Sequence, residues 1–302
     1  MGIKSDLLER YKAPRNEPLK YPGIRPEKSY ILANRSIRYL DDSFSKNGRK
    51  IIPGSLEGFS DSIIDFSGRD SISIKDVLQE RYAVIGYGSN LVPGQLISKF
   101  GEDAIIPVLL GEAPDIDIVY NLISNQGYAF AELLLDENGL RAPIGITLLN
   151  DEQMNKMIET EQNYKVGFAP FDVESDMGLR FSSDTNRVYM FAGFRKIWVP
   201  EGYSKPVPIA EIKTKNRKRK ALSQREVLTL AIDEFNLKSR DITSPKELVE
   251  EIRNEALLEE SPGKLKYDLQ KYIDENPKSY PALANQIEIL TDLKKQLKPY
   301  FK

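Results

Sequence analysis

The stretch Tyr82-Ala83-Val84-Ile85-Gly86-Tyr87-Gly88-Ser89-Asn90-Leu91 decides how the chain is read. Its first residues are apolar, aromatic or β-branched and favour an extended strand. The run then breaks at Gly86-Tyr87-Gly88-Ser89-Asn90. A strand that ends in Gly-Ser-Asn leaves several backbone N–H groups without ladder partners, turned into one small concave space. Such a nest suits a carboxylate or a developing oxyanion. Gly88 has no Cβ to hold a ligand away, and Ser89 and Asn90 add short polar side chains at the same spot. Taken alone, the motif is equally a glycine-containing strand end.

Further along, Arg141-Ala-Pro-Ile-Gly145-Ile-Thr-Leu-Leu-Asn150 reads as a strand containing Gly145 and ending in a polar turn. A short amphipathic helix follows, and then Glu161-Gln162-Asn163-Tyr164. Between the two segments lie Pro107-Val-Leu-Leu-Gly111, Ile116-Asp-Ile-Val-Tyr-Asn121 and Tyr128-Ala-Phe-Ala131-Glu-Leu-Leu-Leu-Asp136. Downstream come Arg187-Val-Tyr189-Met-Phe-Ala192 and Ser223-Gln-Arg-Glu-Val-Leu228. In this order the motifs resemble the γ-glutamylcyclotransferase-like family. That family has a Tyr-Gly-Ser-Asn-Leu loop after its first strand, then a glycine-bearing strand, a helix and a catalytic glutamate, often followed by Asn-Tyr.

The resemblance covers residues 81–236 and implies an α+β fold: a small mixed β-barrel with surrounding helices. Residues 1–80 are then an N-terminal extension and 237–302 a C-terminal helical region. It also implies a transferase- or lyase-type enzyme that cyclises a γ-glutamyl group to 5-oxoproline and releases an amine or amino acid. Glu161 is the implied general acid/base, and Tyr87, Gly88, Ser89, Asn90 and Leu91 form the implied substrate-binding loop. Tyr164 and Tyr189 read either as pocket-lining hydrogen-bond donors or as core tyrosines. One departure stands out. Where the family often has Leu-Asp before the glutamate, this chain has Met157-Ile158, with Glu159 next. A register that puts Gln162 in place of the acid is open, but Glu161-Gln-Asn163-Tyr164 fits the family's Glu-x-Asn-Tyr spacing.

Composition narrows the chemistry. The 302 residues contain neither Cys nor His. Disulfides, Cys/His zinc sites, cysteine nucleophiles and Ser-His-Asp triads are therefore excluded. Acid–base work falls to carboxylates, Lys or Tyr. Cyclisation by one glutamate needs no cofactor and no metal. The net charge of −2 offers no global attraction to nucleic acid. No apolar run is long enough for a membrane span, and the N-terminus does not read as a signal peptide. The expectation is a cytoplasmic protein acting on a small γ-glutamyl molecule, with neither membrane nor nucleic acid as partner. The sequence leaves the oligomeric state open.

Outside the matched motifs the readings are mainly structural. Pro14, Pro18, Pro22 and Pro26 punctuate a stretch expected to wrap along a surface. Ser29–Leu40 alternates loosely enough to add a strand, Ile51-Ile52-Pro53-Gly54 and Ile63-Ile64-Asp65-Phe66 are short apolar runs, and Ser73 is placed to cap a helix over 73–80. Asp136–Gly139 resembles a hairpin turn, and Lys165–Asp184 is long enough to be a flap near the pocket. Lys213-Thr-Lys-Asn-Arg217-Lys-Arg-Lys220 is read first as a solvated basic loop, with nucleic-acid binding or attraction of an anionic substrate as alternatives. Trp198 reads as a packing residue. Leu248, Ile252, Ala256 and Leu257 recur at helical spacing, and further helices are expected over 263–276 and 281–298. The last carries Leu283, Ile287, Leu290, Leu293 and Leu297 as a stripe expected to pack on the main domain.

Overall fold

The computed structural model describes residues 9–40, 63–64, 72–136, 139–161, 163–182, 187–257, 264–291 and 297–298. The strands are β1 (Tyr30–Ala33), β2 (Ser36–Tyr39), β3 (Ile63–Ile64), β4 (Ile72–Ser73), β5 (Tyr82–Gly86), β6 (Ile106–Pro114), β7 (Ile116–Asn121), β8 (Phe130–Leu135), β9 (Arg141–Leu149), β10 (Tyr164–Phe168), β11 (Val173–Ser175), β12 (Arg180–Phe181) and β13 (Tyr189–Gly193). The α-helices are α1 (Ile74–Leu78), α2 (Pro93–Phe100), α3 (Asp151–Thr160), α4 (Gln224–Glu234), α5 (Pro245–Leu257) and α6 (Lys264–Glu275). The class is α+β, as the motifs predict. The main sheet runs β10-β13-β5-β9-β6-β1-β2, with β11 and β12 joined through β6. Its pairs are antiparallel except β13 with β5. Among the described residues these pairings form a large mixed sheet, and no closed ring is traced by them.

At the centre, β5 pairs with β9 so that Gly86 faces Gly145. A Cβ on either glycine would lie 2.7 or 2.6 Å from Leu91 Cδ2. The two glycines thus open a slot into which Leu91, 1% exposed, is driven. Burying that side chain, worth about 2 kcal/mol, fixes the loop after β5 against the sheet. A single 3₁₀ turn (Ser89–Leu91) follows, and α2 starts with Pro93 in its first turn, where proline's missing N–H costs nothing.

Both ends of the chain join this frame. β1 pairs with β6 and carries β2 with it, so part of the extension adds two strands to the sheet. The 51–54 run and residues 65–66 lie outside the described residues; Ile63–Ile64 pairs with Ile72–Ser73. Ser73 is the N-cap of α1 as expected, without a side-chain cap bond. The helix expected over 281–298 is corrected. Among its described residues it holds only a 3₁₀ turn at Leu283–Asn285, and residues 287–290 then run extended beside β10. Leu290 N donates to Val166 O at 2.8 Å and Phe168 N to Glu288 O at 3.3 Å. Half-buried Ile287 and Ile289 flank exposed Glu288, a period of two that a window tuned to three or four residues reads as a stripe. Leu283 and Leu290 are buried as expected; Leu293 lies outside the described residues. In α5, Leu248 and Ile252 are buried, but Leu257 is exposed.

Two loop expectations also change. The 165–184 segment is not a flap: β10 pairs with β13, and β11 with both β6 and β12. Asp136–Gly139, of which 137–138 lie outside the described residues, does not close a hairpin. It links β8, paired with β7, to β9 in the main sheet. Among the described residues no helix is long and apolar enough to cross a membrane.

Candidate functional site

The loop after β5 forms one side of a cavity of about 420 Å³. Tyr87, Gly88, Ser89 and Asn90 line it, and Glu161, Asn163 and Tyr164 line it too. Among the described residues, the backbone N–H groups of Gly88, Ser89 and Asn90 donate no hydrogen bond within the protein. That is the arrangement that accepts an anionic oxygen. Gly88 is required for a different close approach from the one expected: a Cβ there would sit 2.7 Å from the Tyr21 hydroxyl. That hydroxyl accepts a hydrogen bond from Ala131 N at 2.7 Å, and the Tyr21 ring stacks on Tyr128 with centroids 4.7 Å apart.

Glu161 reaches the cavity because α3 stops there. Asn150 and Gln153 form a reciprocal capping box that fixes the start of α3. Glu161 is its C-cap, with its N–H donating to Met157 O at 3.0 Å. A carboxylate at this end faces the negative pole of the helix dipole, a cost of about 0.3–1 kcal/mol. Lys99 of α2 offsets it. Lys99 Nζ lies 2.5 Å from Glu161 Oε1, with the two side chains 5% and 17% exposed. Asn90 bridges the pair: its Nδ2 donates to Glu161 Oε1 at 3.3 Å, and its Oδ1 accepts from Lys99 at 3.2 Å. Both contacts fall on Oε1. Among the described residues Oε2 receives no hydrogen bond, so the carboxylate is anchored through one oxygen.

Two of the expected site residues lie elsewhere. Leu91 is the buried wedge beneath the loop and does not line the cavity. Tyr189 is buried away from the cavity lining, stacked on Phe168, and its hydroxyl accepts from Lys298 N at 2.6 Å. It belongs to the core reading left open by the sequence. Tyr164 lines the cavity edge-on to Phe130, and burial raises its hydroxyl well above the ordinary tyrosine range.

Several cavity residues carried no signal in the sequence. Lys99 is one ordinary lysine on an amphipathic helix. Arg15 and Tyr21 come from the extension. Glu132, read only as part of a strand, does not line this cavity but contacts Tyr87 behind it, and is 1% exposed. Its Oε1 accepts from Leu133 N at 3.2 Å and from the Tyr87 hydroxyl at 3.4 Å. Burial raises its carboxyl to about 7, against an ordinary 4.5, with the nearby Glu161 acting in the same direction. The same burial, with Glu132 and Glu161 near, keeps Tyr87 protonated, and its single hydroxyl hydrogen is shared between Phe191 O at 3.0 Å and the longer contact to Glu132.

The basic cluster folds partly inward. Arg217 places its guanidinium on Asp117, which is 0% exposed, with Nη2 2.5 Å from Oδ1, and Arg219 reaches the other carboxylate oxygen at 3.0 Å. Lys215 pairs with Glu112. The segment is therefore a clamp on β7 more than a solvated loop. Trp198 is buried beside Phe235, with its indole N–H donating to Glu234.

The sequence matches no family model and no curated protein. Among solved structures, an uncharacterised human protein is 13% identical, covering 64% of this chain and 99% of its own, with a TM-score of 0.33. A γ-glutamyl cyclotransferase shows 13% identity over the same shares, with a TM-score of 0.31. An Arabidopsis thaliana protein is 16% identical over 54% of this chain and 81% of its own, with a TM-score of 0.29. Likenesses this distant leave the functional reading to the geometry of the cavity.

Proposed function

We propose that the chain is a γ-glutamylcyclotransferase-like enzyme, with Glu161 as general acid/base. The observation that carries this reading is the shared cavity: the Glu161 carboxylate and the unpaired N–H groups after β5 line one space, joined through Asn90. In the proposed reaction the substrate's α-amine attacks its own γ-carbonyl. Glu161 takes a proton from the attacking nitrogen through Oε2, while Lys99 and Asn90 hold Oε1. The N–H groups of Gly88, Ser89 and Asn90 receive the tetrahedral oxyanion. The C–N bond to the leaving amine breaks, and Glu161 returns the proton to that nitrogen. The products are 5-oxoproline and a free amine, with no water consumed. The step is intramolecular, so a cavity that folds the substrate into attack geometry supplies much of the acceleration. The family's barrel, and its assignment to residues 81–236 between an N-terminal extension and a C-terminal helical region, are parts of the same proposal.

A second reading, ligand binding without turnover, is favoured by the Lys99–Glu161 ion pair, since it gives the carboxylate a fixed structural partner. The experiment that separates the two is 5-oxoproline release from a panel of γ-glutamyl amino acids, γ-glutamyl amines and glutathione. Release from at least one member supports the enzyme. Saturable binding of these compounds without any release supports the second reading.

A further inference from the structure

A second cavity of about 290 Å³ lies across Phe130 and Asn163 from the first. Its walls come from the end of β7, from β8, from the end of β13 and from α6. Glu132 lines it. Glu132 Oε2 is buried and makes no hydrogen bond of normal geometry among the described residues, with the Gly193 N–H lying beside the carboxyl. A buried carboxylate oxygen left unpaired is costly, and such a group calls for a charged donor. Gly193 of β13 makes room for it, because a Cβ there would fall on Oε2 at 1.9 Å.

The opposite charge lines the same cavity. Arg195 and Lys266 both face it. Lys266 Nζ donates to Asn125 Oδ1 at 2.5 Å and forms no ion pair among the described residues, whereas Arg195 is shared with Asp274 at 3.5 Å, both side chains partly exposed. Its ammonium is lowered from its ordinary proton affinity by burial and then by the nearby Arg195. Two cations held together at a half-enclosed wall suit a carboxylate. Leu122, Phe130 and Tyr267 supply the apolar surface between. The volume is at the small end of ligand pockets.

We propose that this cavity binds a free α-amino acid with an apolar side chain, Glu132 taking the ammonium and Arg195 with Lys266 the carboxylate. A free amino acid fits better than a γ-glutamyl one, because acylation removes the cationic N–H that Glu132 lacks. The inference stands whether or not the first cavity turns over a substrate.

Calorimetric titration of the full chain tests it with L-leucine and L-phenylalanine, against leucinamide, which lacks the carboxylate, and N-acetyl-leucine, which lacks the ammonium. Saturable binding of an amino acid is expected, weakened about tenfold or more in both analogues. Glu132→Gln and Lys266→Met should each weaken it to a similar degree, and Lys246→Met, on the exposed face of α5, should leave it unchanged. Lys266 lies at the edge of the cavity, so its variant keeps the test decisive if Glu132→Gln does not fold. No saturable heat up to roughly 10 mM overturns the proposal. So does equal binding of leucinamide, or binding kept in full in Lys266→Met.

Discussion

Glu161 sits where a helix end disfavours negative charge, and Lys99 and Asn90 hold one of its oxygens. In the proposed mechanism Lys99 is a positioning residue: it aims the carboxylate and touches no reacting atom. Lys99→Met is expected to lower kcat about tenfold or more with a smaller change in KM. A double-mutant cycle with Glu161→Gln should be strongly non-additive, and additive losses would remove Lys99 from the account. Glu132 allows a test independent of any substrate. Its carboxyl titrates near 7 in the folded chain and near 4.5 when unfolded. Tyr87 and Leu133 N contact it, and Glu161 lies close. The folded state therefore holds this proton more tightly between those values. The contribution of this group to stability falls as pH rises from 4.5 to about 7 and then levels. The span is on the order of 3 kcal/mol. Thermal unfolding at about pH 5 and about pH 8 should show this loss in the wild type and a flatter profile in Glu132→Gln. Parallel profiles would mean that the buried carboxyl does not titrate in this range.

The unit that builds the first cavity is a strand, a turn and a helix: β5, the 3₁₀ turn and α2, wedged by Leu91 over Gly86 and Gly145. Gly145→Ala should overpack this wedge, costing about 1–3 kcal/mol, and should displace the loop enough to reduce turnover. Denaturant unfolding beside activity measures both. Unchanged stability would show that Leu91 yields freely. The motif strings were legible because loop and strand chemistry is local. Gly86-Tyr87-Gly88-Ser89-Asn90 announces a broken strand, and Asn150 with Gln153 announces a helix start. The Ser223-started segment likewise appears as α4, and Ser223 with Glu226 forms a capping box there. Lys99 and Glu132 were not legible, because their importance comes from what lies across space and not from their neighbours in sequence. The tail misled for the opposite reason. Leu283, Ile287 and Leu290 match a helical period by spacing alone, but Gly167 leaves β10 open to a close backbone, with Glu288 O only 2.6 Å from where its Cβ would stand.

Across the whole molecule, the sheet is extended by the N-terminal strands and flanked by the tail, while Arg217 and Arg219 clamp Asp117 on β7. Asp117→Ala leaves the Arg217 guanidinium without its buried counter-charge, while Arg219 keeps Asp136 at 3.5 Å, and a loss of roughly 3–5 kcal/mol is expected from chemical denaturation. A loss within about 0.5 kcal/mol would reassign the basic segment to a solvated surface loop. The central claim concerns the cavity that these parts hold in place. Its most direct test is quantified 5-oxoproline release from a γ-glutamyl substrate by wild type and Glu161→Gln in parallel, with both variants shown to be folded. The account expects release by the wild type and a loss on the order of a hundredfold or more in the variant, since Gln neither accepts the amine's proton nor returns it. Equal rates in the two proteins would contradict it.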